Sequence, residues 1–427
     1  MKAATVPASI PRSSTFAVRI DGAPAEVYGA GPADFVLLSG DEAFTLEIAL
    51  PRPTKAAAVH PLRLGIPAAV INGSTVRISF DKPINAYVEI AGFKPLFLFA
   101  SPAETDRPDP AAPGVRYYGG GRVYDEGVLT LHSGETLYVE AGTVLHACLF
   151  ADHAENIRIC GGGVIDGDGI HHQMVLMSHC RNCRIENVTL VRPHNWMVLL
   201  GGCDGILVDN LHEIGEVVCS DGIDMVGSSH IEVRGCLLCN NDDCVVVKAQ
   251  KDGGYTRTGN ANWGENVHDI HIHGCSFYNL GAGNAMEIGF ELRSDVIEDV
   301  VFEDLDVLAA HQNAAVFSIH DGDHATVRHI LYRDIRVEHY WNKLVDFRIM
   351  QSRYTKDDEP GHIEDVRFEH IQCVPNVFNT PSIIGGFDPQ HRVSGVVFED
   401  FRLGDHAVRS AHELQLYTVC ADGIEFR

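Results

Sequence analysis

The 427-residue sequence is short of positive charge, with 33 Lys and Arg against 58 Asp and Glu and a net charge of −25. A surface of that sign repels phosphate backbones and anionic lipid, which disfavours nucleic acid and membrane surfaces as partners. Long apolar runs are missing too; none approaches 18 residues, so no segment reads as a membrane-spanning helix. Residues 1–17 hold one Lys, scattered prolines and no apolar stretch of signal-peptide length, which leads to the expectation of a cytoplasmic protein, with secretion left open. The 23 histidines contain no His-Glu-x-x-His frame. Cys180/Cys183 and Cys236/Cys239 are not followed by a second pair at zinc-finger spacing. Neither a metal nor a cofactor is expected.

What is present is apolar material, at 45% of residues, enough for a large core. Of the twelve cysteines, Cys160, Cys180, Cys203, Cys236 and Cys275 recur at roughly one structural period. That placement points to reduced thiols stacked in a core rather than to a disulfide framework.

Residues 1–105 read as an independent small β-sandwich. Phe16-Ala-Val-Arg-Ile, Phe44-Thr-Leu-Glu-Ile, Val76-Arg-Ile-Ser-Phe and Ala86-Tyr-Val-Glu-Ile alternate apolar with polar between Gly, Pro, Asn and Asp turns. A proline-rich stretch over 101–113 marks the boundary. Residues 106–427 then carry a repeat. Short apolar segments begin at Ile157, Cys183, Ile206, Ile231, Ile270, Val300, Ile330, Val366 and Val396, with steps of 23 to 39 residues. No amphipathic helical period lies between them, which excludes a parallel sheet built with crossover helices. No Leu-x-x-Leu-x-Leu frame supports a leucine-rich horseshoe. The fold expected is all-β: a right-handed parallel β-helix preceded by the sandwich.

Two segments of the repeat stand out, Cys219-Ser-Asp-Gly-Ile-Asp and Asn240-Asn-Asp-Asp-Cys-Val-Val-Val-Lys. Asp221 and Asp242 are 21 residues apart, about one coil, and equivalent side chains on stacked strands lie ~4.8 Å apart. Asp221, Asp242 and Asp243 should therefore crowd into one patch. Like charges that close raise one another's pKa, leaving a protonated acid beside an ionised carboxylate, the pairing that glycoside cleavage requires. Turn-capping aspartates are the plain alternative, and for Asp224 that role is preferred. A calcium site would want more oxygen ligands than these residues supply.

From about residue 161 to 336 the chain resembles the clan that joins polygalacturonases with dextranases and isopullulanases. Gly161-Gly-Gly-Val-Ile-Asp-Gly-Asp-Gly is similar to the opening Gly-rich coil, Arg192-Pro-His-Asn-Trp to the Ser-Pro-x-Trp element, and Asn241-Asp-Asp-Cys to the catalytic Asp-Asp-Cys. The resemblance implies Asp242 as general acid, Asp221 and Asp243 as holders of the attacking water, and inversion at the anomeric carbon. Two departures bear on substrate. Asn284 stands where polygalacturonases carry a catalytic-site His, and Ser318-Ile-His320 stands where they carry Arg-Ile-Lys, so that triplet offers no fixed positive charge for a uronate. Met286-Glu-Ile-Gly-Phe and Leu305-Asp-Val-Leu are similar to the dextranase and isopullulanase branch, whose members also carry an N-terminal sandwich.

The expected partner is therefore a poly- or oligosaccharide, a neutral α-glucan ahead of polygalacturonate. Candidate substrate-binding residues are His194, Trp196, Lys248, Asn284, Glu287 and His320, while Glu291 reads as a solvated strand residue and His320-Asp-Gly-Asp-His324 as a turn at the cleft edge. A lyase or epimerase on the same scaffold would need a cationic set to stabilise an enolate. A glycan-binding adhesin would need no clustered acids.

Overall fold

The computed structural model describes residues 1–253, 261–375 and 380–427. From Val115 onward the chain winds as a right-handed parallel β-helix whose coils each place strands on three faces. On one face, Arg181–Glu186, Asp204–Asp209, Ser229–Arg234, His268–His273 and Val296–Glu303 stack in parallel. Their register aligns Cys183, Ile206, Ile231, Ile270, Val300, Ile330, Val366 and Val396 in one inward row. The segments whose recurrence defines the repeat in the sequence thus form a single ladder. All of them bury their apolar side chains in one continuous core. Ten of the twelve cysteines, all free thiols, are buried, and Cys236 N lies 3.4 Å from Cys275 Sγ on the next coil.

The N-terminal unit is a sandwich of a six-stranded and a five-stranded sheet among the described residues. Alternation places Val18, Ile20, Leu46, Ile48, Val76 and Ile78 between the sheets. The unit also packs against the β-helix. Ala33–Ser39 and Leu96–Ser101 pair in parallel and are apolar on both faces. Val36 and Leu98 fill the sandwich, while Phe35, Leu37, Phe97 and Phe99 pack on Val191, Ile214 and Tyr278 of the β-helix. Continuous apolar strands of this kind are buried twice, and here the second partner is the solenoid. The docking also reaches the loop that leads to Trp196: Arg192 Nη2 donates to Ser9 O at 3.1 Å.

Candidate active site

Val198–Gly201, Ile223–Val226, Val245–Gly253 and Met286–Leu292 stack on a second face. Their register pairs Val198, Ile223, Val245 and Met286. Two residues ahead of these positions stand Trp196, Asp221, Asp243 and Asn284, one above another. The bonds Met197 N to Asp221 O (2.8 Å), Gly222 N to Asp243 O (2.8 Å) and Cys244 N to Asn284 O (3.0 Å) fix the stack. Asp242 precedes Asp243 in a loop held from three sides. Asn279 Nδ2 donates to Asp242 O at 2.8 Å, Asn241 Nδ2 to Glu216 O at 3.1 Å, and Cys219 N to Asp242 Oδ2 at 3.1 Å. Gly283 passes beneath it with φ +65°, where a Cβ would lie 2.2 Å from Asp243 N, so only glycine fits.

The three carboxylates converge, with one oxygen of each within 4.8 Å of the others. Asp221 and Asp243 are buried and Asp242 is the most accessible. Burial, opposed by Lys248 and reinforced by Asp242, pushes Asp221 up to about 7. Burial and then the charges of Glu287, Asp221 and Asp242 carry Asp243 well above the carboxylate range. Burial also raises Asp242, while Lys248 and the backbone donors Cys219 N and Asp243 N restrain it. The cluster therefore keeps at least one proton near neutral pH. Lys248 Nζ sits 3.2 Å from Asp221 Oδ2, 3.1 Å from Asp224 Oδ1 and 4.2 Å from the Trp196 ring centre. Burial alone would discharge this lysine, but Asp224 and Asp221 outweigh it and hold the ammonium. Asp224 is thus a buried ion-pair partner within the strand Ile223–Val226, not the turn cap expected of it.

Asn284 donates from N (2.7 Å) and Nδ2 (3.1 Å) to Asp243 Oδ1, and from Nδ2 to Glu287 Oε2 (2.8 Å). His320 Nδ1 contacts Glu287 Oε1 at 2.9 Å. Burial would depress that imidazole, yet Glu287 and Asp346 prevail and push it up to about 9.

Asp221, Asp242, Asp243, His194, Trp196, Lys248, Asn284 and His320 line one cleft of about 670 Å³. Glu287 does not line it. It is fully buried and bridges Asn284 and His320 from below. Glu291 is buried at the cleft wall rather than solvated. His320 is the last but one residue of the strand Ala315–Asp321 and lines the cleft, and the turn begins only after Asp321.

Sequence reasoning missed Lys343, Asp346, Arg348, Arg353 and Tyr354, which line the same cleft. Asp346 Oδ1 accepts from Arg348 Nε at 2.6 Å and its Oδ2 from Lys343 Nζ at 3.1 Å. These cations come from the strand Lys343–Ile349, one coil beyond Ser318-Ile-His320. The charge missing from that triplet is supplied by its neighbour. The alternation Lys-Leu-Val-Asp-Phe-Arg was the available signal.

Residues 125–403 match the family described as Glycosyl hydrolases family 28. The chain is 22% identical over 218 residues to polygalacturonase QRT2 of Arabidopsis thaliana, covering 45% of each protein. It is 22% identical over 226 residues to a polygalacturonase of Juniperus ashei, covering 51% of this chain and 41% of that one. The chain thus spans less than half the length of these curated relatives. Among solved structures, Dex49A from Penicillium minioluteum superposes with a TM-score of 0.60 at 11% identity, over 100% of this chain and 96% of that one. The family 28 exopolygalacturonase of Yersinia enterocolitica gives 0.51 at 13% identity, over 91% and 97%. At these identities the superpositions bear on the fold, which they share.

Proposed function

Because the chain belongs to the glycosyl hydrolases of family 28, we propose that it hydrolyses α-linked chains containing uronic acid, with inversion at the anomeric carbon. The carrying observation is the cationic wall beside the acids. Among the described residues His320, Lys343 and Arg348 pair with Glu287 and Asp346, three cations to two carboxylates. Arg348 Nε and Nη2 donate to the two oxygens of Asp346, whose Oδ2 also lies 3.5 Å from His320 Nε2. No bond among the described residues uses Arg348 Nη1, and a substrate carboxylate meets that donor. The neutral glucan expected from the Ser318-Ile-His320 triplet, from Asn284 and from the segments at Met286 and Leu305 offers no charge for these cations to meet.

In this reading Asp242, the most accessible acid, protonates the departing oxygen. Asp221 and Asp243, anchored by Lys248 and Asn284, hold the attacking water. One observation favours a second reading. The carboxylates lie within 4.8 Å, closer than the ~6.5–9.5 Å usual for inverting pairs and nearer the ~5–5.5 Å of retaining ones. Proton NMR of the first product from oligogalacturonate separates the two readings. Inversion releases the β-anomer before mutarotation, whereas initial α-anomer or a trapped glycosyl-aspartate establishes retention. Parallel incubation with dextran and pullulan tests the substrate, and preferential release of reducing ends from those neutral glucans overturns the uronide reading.

A further inference from the structure

The outward row of the catalytic face runs Leu176, Leu199, Asp224, Val246, Glu287, Ser318, Asp346, Ile383, Tyr417. Outward residues of an open groove meet solvent or substrate, and at the far end they do: Tyr417 is 66% exposed. From Leu176 through Asp346 every member is buried, and what differs is the cover: over Asp224 it is Lys248, a residue of the cleft wall. Leu176 and Leu199 are fully buried although they point away from the core. Their cover is Trp263, which packs with them, Trp196 and Val226 in a separate apolar cluster and is itself 1% exposed.

The indole is seated, not merely adjacent. Gly201 gives it room, since a Cβ there would lie 2.2 Å from the Trp263 ring. Gly227, at φ +56°, lets the Trp263 carbonyl pass where a Cβ would sit 2.2 Å away. Trp263 Nε1 reaches Ser178 Oγ at 3.3 Å, and Gln250 pairs with Trp263 across the antiparallel strands. A close-packed apolar plug of this kind leaves no space for a hydrated sugar. Val198–Gly201 is the coil directly preceding Ile223–Val226. The plug therefore covers the coil next to the one that carries Asp221.

We propose that Trp263 closes the cleft on its His194–Trp196 side, so that the enzyme cleaves only next to a chain end and releases a short product. The open row toward Ile383 and Tyr417 holds the remainder of the chain. This rests on the assignment of the Asp221–Asp242–Asp243 cleft as a glycosidase site, though not on which sugar it takes.

The test uses the intact wild-type protein on long polygalacturonate, dextran and pullulan, following viscosity against reducing ends while chromatography resolves early products. The expected result is a single short product from the first minutes, with viscosity barely falling as reducing ends accumulate. An early ladder of intermediate oligomers with steep loss of viscosity overturns the plug. End-wise attack on a glucan with polygalacturonate untouched sinks the uronide reading and leaves this one standing. No hydrolysis of any of the three sinks both.

Discussion

Asp221 and Asp346 occupy the same catalytic face, and each is almost completely buried, at 3% and 2% exposure. Their acidities nevertheless diverge. Asp221 is pushed up to about 7, because burial and the Asp242 charge outweigh Lys248. Asp346 is held below the usual carboxylate range, because hydrogen bonding and charge from His320, with Arg348 and Lys343, overcome burial. Burial of a carboxylate therefore decides little by itself; the count and sign of its neighbours decide the rest. The cleft holds both outcomes a few coils apart, and in the proposed reading one serves proton transfer and the other anion binding.

The largest expected break in that contrast is Asp242→Asn. The amide cannot donate a proton, so kcat should fall by about 10³-fold or more with the fold intact. A substrate with a good leaving group, such as an aryl glycoside, should recover much of the rate. Wild-type turnover of Asp242→Asn on a natural glycan removes the assignment of Asp242 as the acid.

Next is the cationic end. Arg348→Met should lower kcat/KM for oligogalacturonate roughly 10- to 100-fold, the worth of a charge-assisted hydrogen bond at about 1.5–3 kcal/mol. It should also leave the acid limb of the pH profile in place, since Arg348 is not among the groups that perturb Asp221. Equal losses on charged and neutral oligosaccharides contradict a role in carboxylate recognition.

Lys248→Met sharpens the comparison by making the acidic end more extreme. Lys248 lowers Asp221, Asp242 and Asp243 together. Its loss should shift the acid limb of kcat/KM toward higher pH. Because Asp224 then loses its buried partner, stability should fall by about 3 kcal/mol, measured by denaturant unfolding at pH 8. An unmoved acid limb argues that no carboxylate in contact with Lys248 controls the rate.

The smallest effect concerns His320. Its folded pKa of about 9 exceeds the unfolded value near 6.5, so its stabilisation is complete below about pH 6.5 and is lost as pH rises through 9. Thermal scans from pH 6 to 10 should show Tm declining across that window, and His320→Gln should flatten the decline. A slope shared unchanged by the variant assigns the loss to other groups.

How much of this is legible from the residues differs along the chain. The β-helix and its register follow from local sequence, because the apolar segments recur once per coil and stacking aligns equivalent positions. The same one-coil spacing brings Asp221 beside Asp242 and Asp243, so the acid cluster is readable without coordinates. Asp224 was not, since its burial depends on Lys248 from the next coil and on the cover above both. Lys343 and Arg348 were missed because a coil may absorb loops of any length, which hides which strand comes to lie beside His320. The docking of Phe35 and Phe99 on the solenoid and the seating of Trp263 over Gly201 have no period at all. A repeat writes its own neighbours into the sequence at fixed spacing, whereas a hairpin or a second domain folding back meets residues set by shape and burial alone. The sequence thus determined the scaffold and the acids. The tertiary structure decided the burial and partners of those acids, the cations one coil beyond His320 and the seating of Trp263 over Gly201.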